Sequence, residues 1–248
     1  MRRTHELATL PPLLYGGIMT THILITGASR GIGAAIADAL AHQNHRIVAL
    51  SSADGDLADP DVPPRLWADS LDTLDGRIDV LINNAGIFDA NPITAAGDEW
   101  LEKWNRTLQV NLTAAASLCR LAVLHWQQTG LGGRIVNIAS RAAHRGDSPA
   151  HWHYAASKAG MVAMTKTIAR AHAKEGILAF AICPGFTMTG MADDYLESRG
   201  GEKLLADIPL GRVAMPQEVA EMARWCALDA PPSMTGAVLD VNGASYVR

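Results

Sequence analysis

The sequence predicts an α/β fold: one doubly wound parallel sheet with helices on both faces, in a single domain. Three observations predict it. Short apolar runs alternate with longer segments of helical periodicity along most of the chain. The first apolar run ends in a glycine-rich turn that leads straight into a helix. The chain has 248 residues, 48% hydrophobic and 19% charged, which suits one large globular domain.

Composition also narrows the partners. Formal net charge is -4 and no basic run is present, so nucleic acid is not expected. No uninterrupted apolar stretch reaches transmembrane length, so no membrane partner is expected either. Cys119, Cys183 and Cys226 are far apart, and each sits in an apolar run. Buried free thiols are expected, as in a reducing, cytoplasmic setting. His144, His151 and His153 lie close together, but no carboxylate or cysteine spacing supports a ligand set. No metal is expected.

Residues 1–18 are expected to be a disordered overhang. Arg2 and Arg3 precede a short apolar run that Pro11 and Pro12 break, too weak for a secretory signal. A cleaved organelle-targeting peptide is the other reading. The domain is taken as 19–248. His22 to Thr26 reads as the first strand, and Gly27-Ala28-Ser29-Arg30-Gly31-Ile32-Gly33 as a turn that aims helix N–H groups at a phosphate. A helix follows from Ala34 to His42, then a second strand from Arg46 to Leu50. In dinucleotide folds an acid after this strand takes the 2'-OH of NAD. A cation without the acid suits the 2'-phosphate of NADP. Here Ser51 and Ser52 follow the strand and Arg30 lies in the turn, which favours NADP(H). Asp54 and Asp56 keep NAD(H) open.

The stretch from Ser52 to Pro64 is rich in Asp, Gly and Pro, and the crossover there is expected to be a loop. Arg65 to Ala68 is read as a third strand with Asp69 at its end, and Ser70 to Gly76 as a cut-down helix. Ile78 to Ile82 is the next strand, followed by Asn83-Asn84-Ala85-Gly86. One helix is expected from Asp98 towards Gln128, with Asn111 in its middle, where an amide is a poor helix former. Arg134 to Ala139 is a buried strand, which puts Ser140 outside its carboxyl end, where ligands sit in open α/β sheets. A polar loop leads to a helix running to about Lys174. Ile177 to Cys183 is a strand ending at Pro184-Gly185. Phe186 to Pro209 could act as a lid, Pro216 to Leu228 reads as a helix, and Gly236 to Val241 as the last strand.

Tyr154 and Lys158 are four apart, on one face of their helix. A phenol titrates near 10, too high for ready proton exchange at neutral pH, and a nearby ammonium lowers that value. The pair is therefore a candidate acid/base device for an alcohol oxygen.

Taken in order, the turn Thr26 to Gly33, Asn83 to Gly86, Asn111, Ser140, Tyr154 with Lys158, and Pro184-Gly185 resemble the short-chain dehydrogenases/reductases. The resemblance spans about Thr20 to Arg248 and is strongest to 3-oxoacyl-carrier-protein reductases. It implies a Rossmann-like fold and a catalytic set of Asn111, Ser140, Tyr154 and Lys158. In that set Tyr154 exchanges the proton, and Lys158 lowers its pKa and holds the nicotinamide ribose. Ser140 bonds the reacting oxygen, and Asn111 supports a water linking Lys158 to solvent. It implies a cofactor site of Gly27, Ser29, Arg30, Ile32, Asp69, Asn84, Ala85, Gly86, Thr187 and Thr189, with Pro184 and Gly185 beside them. It also implies a homotetramer or homodimer acting on a small carbonyl or alcohol. Two departures stand out: a short segment before Asn83, and a His-rich loop between Ser140 and Tyr154 that is one residue long for the family. The readings left open are an NADP(H)-dependent reductase of a ketone, aldehyde or 3-oxoacyl substrate; an NAD-linked dehydrogenase of a secondary alcohol, sugar or steroid-like molecule; and a dinucleotide-binding regulator without turnover. An enoyl reductase is disfavoured, since such relatives space the Tyr and Lys further apart.

Overall fold

A computed structural model describes residues 20–41, 44–189 and 205–248. The expected overhang and most of the expected lid lie outside the described residues. Six strands form one sheet: β1 (His22–Thr26), β2 (Arg46–Leu50), β3 (Val80–Asn83), β4 (Gly133–Ile138), β5 (Ile177–Pro184) and β6 (Val238–Val241). All neighbours pair in parallel, in the order β2-β1-β3-β4-β5-β6. The strands alternate sides residue by residue. Ile23, Ile25, Val80, Ile82, Val136, Ile138, Phe180 and Ile182 pack on one face, while Leu24, Leu81, Ile135 and Ala179 pack on the other. Both faces are apolar because both are covered, as parallel sheets require.

The first face is covered by α1 (Gly31–Ala41) and α7 (Pro216–Leu228), which pack on each other. The second is covered by α2 (Val62–Thr73), α4 (Ala114–Thr129) and α6 (Trp152–His172). A short α5 (Ala142–Arg145) follows β4. The expected long helix is α3 (Gly97–Leu108) running into α4 through a π-helical turn, Gln109–Thr113. Such widened turns concentrate at functional sites, and this one carries Asn111.

One expectation is overturned. There is no strand at Arg65 to Ala68; those residues are the middle of α2. Pro63 and Pro64 start that helix, where a missing N–H costs nothing. Leu66, Trp67 and Ser70 recur at three- and four-residue spacing and are buried against the sheet. The crossover from β2 to β3 is thus helical, and β2 is left as a sheet edge.

Candidate active site

The glycine turn is built by close approach. A Cβ on Gly33 would lie 2.0 Å from the Gly27 carbonyl oxygen and 2.4 Å from Asn84 Nδ2, so no side chain fits there. Gly27 itself has φ +69°, a region that glycine enters without strain. Asn84 locks the turn from the next strand over. Its Nδ2 donates to the Gly27 oxygen at 2.8 Å. The backbone N–H groups of Asn84 and Ala85 both donate to Thr26 Oγ1 at 3.2 Å. Thr26, the first residue of the turn motif, is therefore a brace, a role the motif alone does not give it. Ile32 packs inward against the first core face, whereas Ser29 and Arg30 are exposed at the start of α1. On the far side a Cβ on Gly31 would meet the Thr189 methyl at 3.0 Å, so Thr189 closes over the turn.

Thr187 is buried and pairs with Ala214, and its hydroxyl donates to the Gly185 oxygen at 3.3 Å. Gly185 donates to the Val241 oxygen at 2.9 Å, while the Pro184 oxygen accepts from the Arg141 N–H at 2.9 Å. These bonds hold the ends of β4, β5 and β6 together above the sheet. The turn, the first N–H groups of α1 and Thr189 make a cradle with room only for backbone. Its chemistry fits the pyrophosphate of a dinucleotide.

At the adenosine side the reading changes. Ser51 N–H and Oγ both donate to Asp54 Oδ2, at 2.7 and 3.0 Å. Those bonds hold the Asp54 carboxyl below its usual range. Ser51 is therefore occupied by an acid, and Ser52 is exposed. Asp69 does not stand at a strand end. It is exposed on α2, 3.3 Å from Arg65 one turn earlier. The strand expected to end at Asp69 is absent, and the residue lies within the helix instead.

The four expected catalytic residues do converge. Gly86 lies between two of them: its added Cβ would be 3.3 Å from Asn111 Oδ1 and 3.5 Å from Lys158 Nζ. Asn111 is fully buried. Its Oδ1 accepts from the Ile87 N–H at 2.8 Å, and its Nδ2 donates to the Ile87 oxygen at 3.0 Å and to Ser157 Oγ at 3.3 Å. The side chain thus pins the loop after β3 to the π-turn and to α6. Ser157 Oγ in turn donates to the backbone carbonyl oxygen of Tyr154 at 2.7 Å. Lys158 Nζ donates to the Ile138 oxygen at 2.8 Å and lies 5.8 Å from the centre of the Tyr154 ring.

Burial governs both titrations. It pushes the Tyr154 phenol up to about 12, against a hydrogen bond from Ser140 that favours the phenolate. It pushes the Lys158 ammonium down to about 8. Desolvation is the largest influence on the phenol, while the Lys158 ammonium is turned towards a backbone carbonyl.

The His-rich loop joins an aromatic stack. His151 lies on Phe88 (centroids 3.9 Å, planes 7° apart), and Phe88 meets Tyr154 edge-on at 4.7 Å. His153 is buried and stacks on Trp104. Phe88 stays 40% exposed beside Tyr154, a wall that no motif announced. His144 turns the other way, 3.5 Å from Cys183, and Asp240 completes a group within 4.8 Å. Asp240 is already paired with Arg248 at 3.0 Å. A buried chain from Asn83 to Asn137 (2.9 Å) and on to Thr165 (2.8 Å) supports β3 and β4 from below.

Comparison with known proteins bears on this arrangement. A family profile described as short chain dehydrogenase matches residues 21–61, and one described as enoyl-(acyl carrier protein) reductase matches residues 53–244. A 3-oxoacyl-[acyl-carrier-protein] reductase of Synechocystis sp. is 37% identical over 243 residues, 89% of this chain and 94% of that one. An acetoacetyl-CoA reductase of Rhizobium meliloti is 32% identical over 247 residues, 92% and 99% of the two chains. The solved structure of ligand-free Thermoplasma acidophilum aldohexose dehydrogenase is similar at a TM-score of 0.81 and 27% identity, covering 93% and 96%.

Proposed function

The chain belongs to the short-chain dehydrogenase/reductase family and is an oxidoreductase of C=O and CH–OH groups, and from that premise we propose an NADP(H)-dependent reductase of a 3-oxoacyl-type or similar ketone. The observation that carries it is the convergence of four residues: Asn111 and Lys158 beside Gly86, Lys158 against the Tyr154 ring, and Ser140 bonded to Tyr154. The nicotinamide supplies the hydride when bound. Gly27, Gly31, Asn84, Ala85 and Thr189 would hold the dinucleotide, with Arg30 on its phosphate side. Tyr154 gives its proton to the carbonyl oxygen as the carbon is reduced, and Ser140 donates a hydrogen bond to the same oxygen. Lys158, positioned by the Ile138 oxygen, places a positive charge below the phenol as it loses its proton. Asn111 keeps the floor of the site rigid through Ile87 and Ser157. The printed names of the relatives support the 3-oxoacyl class.

A second reading, an NAD-linked dehydrogenase, is favoured by Asp54. Its carboxylate stands where an acid would accept from a ribose hydroxyl. Tyr154→Phe tests the shared mechanism. Turnover of acetoacetyl thioester should fall by about 10²–10⁴-fold, while nicotinamide fluorescence still reports cofactor binding. Turnover close to that of the unaltered chain would remove Tyr154 from the reaction.

A further inference from the structure

His144, Cys183 and Asp240 come from three elements, α5, β5 and β6. Cys183 and Asp240 are partners in the β5–β6 ladder. Paired residues in a parallel sheet send their side chains to the same face, so the thiol and the carboxylate stand side by side. His144 reaches over from α5 and places its Nε2 3.5 Å from the Cys183 Sγ. A ring nitrogen, the sulfur and a carboxylate oxygen all lie within 4.8 Å of one another. The three residues are far apart in the chain, so no local spacing announces them.

The separation is that of metal ligands. A tetrahedral zinc ion, with bonds of about 2.3 Å to sulfur and about 2.0–2.1 Å to nitrogen, holds those two atoms about 3.6 Å apart. His144 and Cys183 already stand at that separation. Each ligand also has a supporting partner, as metal ligands require. The Tyr246 ring lies parallel to the His144 ring, with centroids 5.5 Å apart, and fixes its plane. The Ser140 backbone hydrogen-bonds the Cys183 sulfur. Arg248 Nε donates to Asp240 Oδ2 at 3.0 Å, which engages one oxygen and leaves Oδ1 to turn towards the pair. Arg248 and Asp240 lie on the exposed side, where they and Tyr246 line a cavity that gives an entry path. A thiolate and a carboxylate together balance a divalent charge. The hydride and proton transfers use none of these three residues.

We propose that His144 Nε2, Cys183 Sγ and Asp240 bind one zinc-type divalent metal ion, with the fourth coordination position facing the cavity. The sulfur ligand selects zinc or cobalt over magnesium and calcium. As the metal–sulfur bond forms, the Cys183 thiol releases its proton to solvent. The ion ties α5, which begins two residues after Ser140, to the ends of β5 and β6.

The test titrates cobalt(II) into the full chain after treatment with a chelator. Thiolate bound to cobalt gives a charge-transfer band in the near ultraviolet, which oxygen and nitrogen ligands alone do not give. We expect the band to saturate at one cobalt per chain and to be displaced by zinc. Cys183→Ala should abolish it, whereas Cys119→Ala and Cys226→Ala should leave it. His144→Gln and Asp240→Asn should each weaken cobalt binding by about 100-fold or more, since loss of a supporting partner alone costs about 10–100-fold. No band with cobalt in excess overturns the proposal, and so does a band that survives Cys183→Ala. If circular dichroism shows that Cys183→Ala has lost its fold, His144→Gln carries the decision, and unchanged cobalt binding there overturns the proposal. The readout needs no turnover, so it stands or falls apart from the reductase reading.

Discussion

Lys158 shows how one residue is pulled between chemistry and stability. The proposed mechanism uses its ammonium beneath the phenol, yet burial depresses its pKa to about 8 from an ordinary 10.4. Between about pH 8 and 10.4 the unfolded chain binds more protons here than the folded chain. This residue's contribution to stability therefore rises with pH across that window, and its penalty is full below pH 8. Lys158→Met removes the term. In urea unfolding, the variant should gain most over the unaltered chain at pH 7, and the gap should narrow by pH 10. A gap independent of pH would mean that Lys158 titrates normally in the fold. Tyr154 acts in the opposite sense, but only between about pH 10 and 12, outside that measurement.

Among the elements, the turn between β1 and α1 and the edge strand β2 together decide the cofactor. The turn is braced by Thr26 and Asn84, and the pyrophosphate contact proposed there is the same whatever the ribose carries. Discrimination falls to what lies after β2, where two signals compete. Arg30 is an exposed cation at the start of α1, while Asp54 is a carboxylate bound to Ser51. A paired titration of NADPH and NADH by nicotinamide fluorescence decides between them. We expect tighter NADPH binding, reduced about 10–100-fold in Arg30→Ala by loss of a charge-assisted hydrogen bond. Tighter NADH binding, insensitive to Arg30→Ala, would assign the ribose to Asp54. The side of β2 that carries no further strand leaves this region open, because α2 replaces the strand expected there.

At the scale of the molecule, the surface left on α3, α4 and α6 suits self-association. Leu101 and Leu124 are exposed at 52% and 38%. Ala156 and Ala163 present small side chains outward on α6, which lets helices approach closely. Symmetric pairing of such faces is the usual route to homo-oligomers. We expect light scattering at micromolar concentration to give a homotetramer of the 26.4 kDa chain. A monomer at that concentration would count against association through these helices.

The fold class was legible in the residues because period and punctuation are local. Alternating apolar runs, the glycine turn and the prolines at helix starts each act within a few residues, so β1, β2, β5 and α7 lie close to where the pattern puts them. The residues that converge at the candidate site were legible for the same reason, as short motifs at strand ends and one helical turn. What failed was α2, where a Pro- and Asp-rich entry masked a helical spacing that the sheet then selected by burying Leu66 and Trp67. The rest was decided by contacts between distant segments. Burial set the Tyr154 and Lys158 titrations, Asp54 captured Ser51, and Phe88, on the loop after β3, met His151 and Tyr154 at the start of α6. A sequence states which groups are present and how they repeat. Desolvation and long-range neighbours, which determine what those groups do, exist only once the chain has closed on itself.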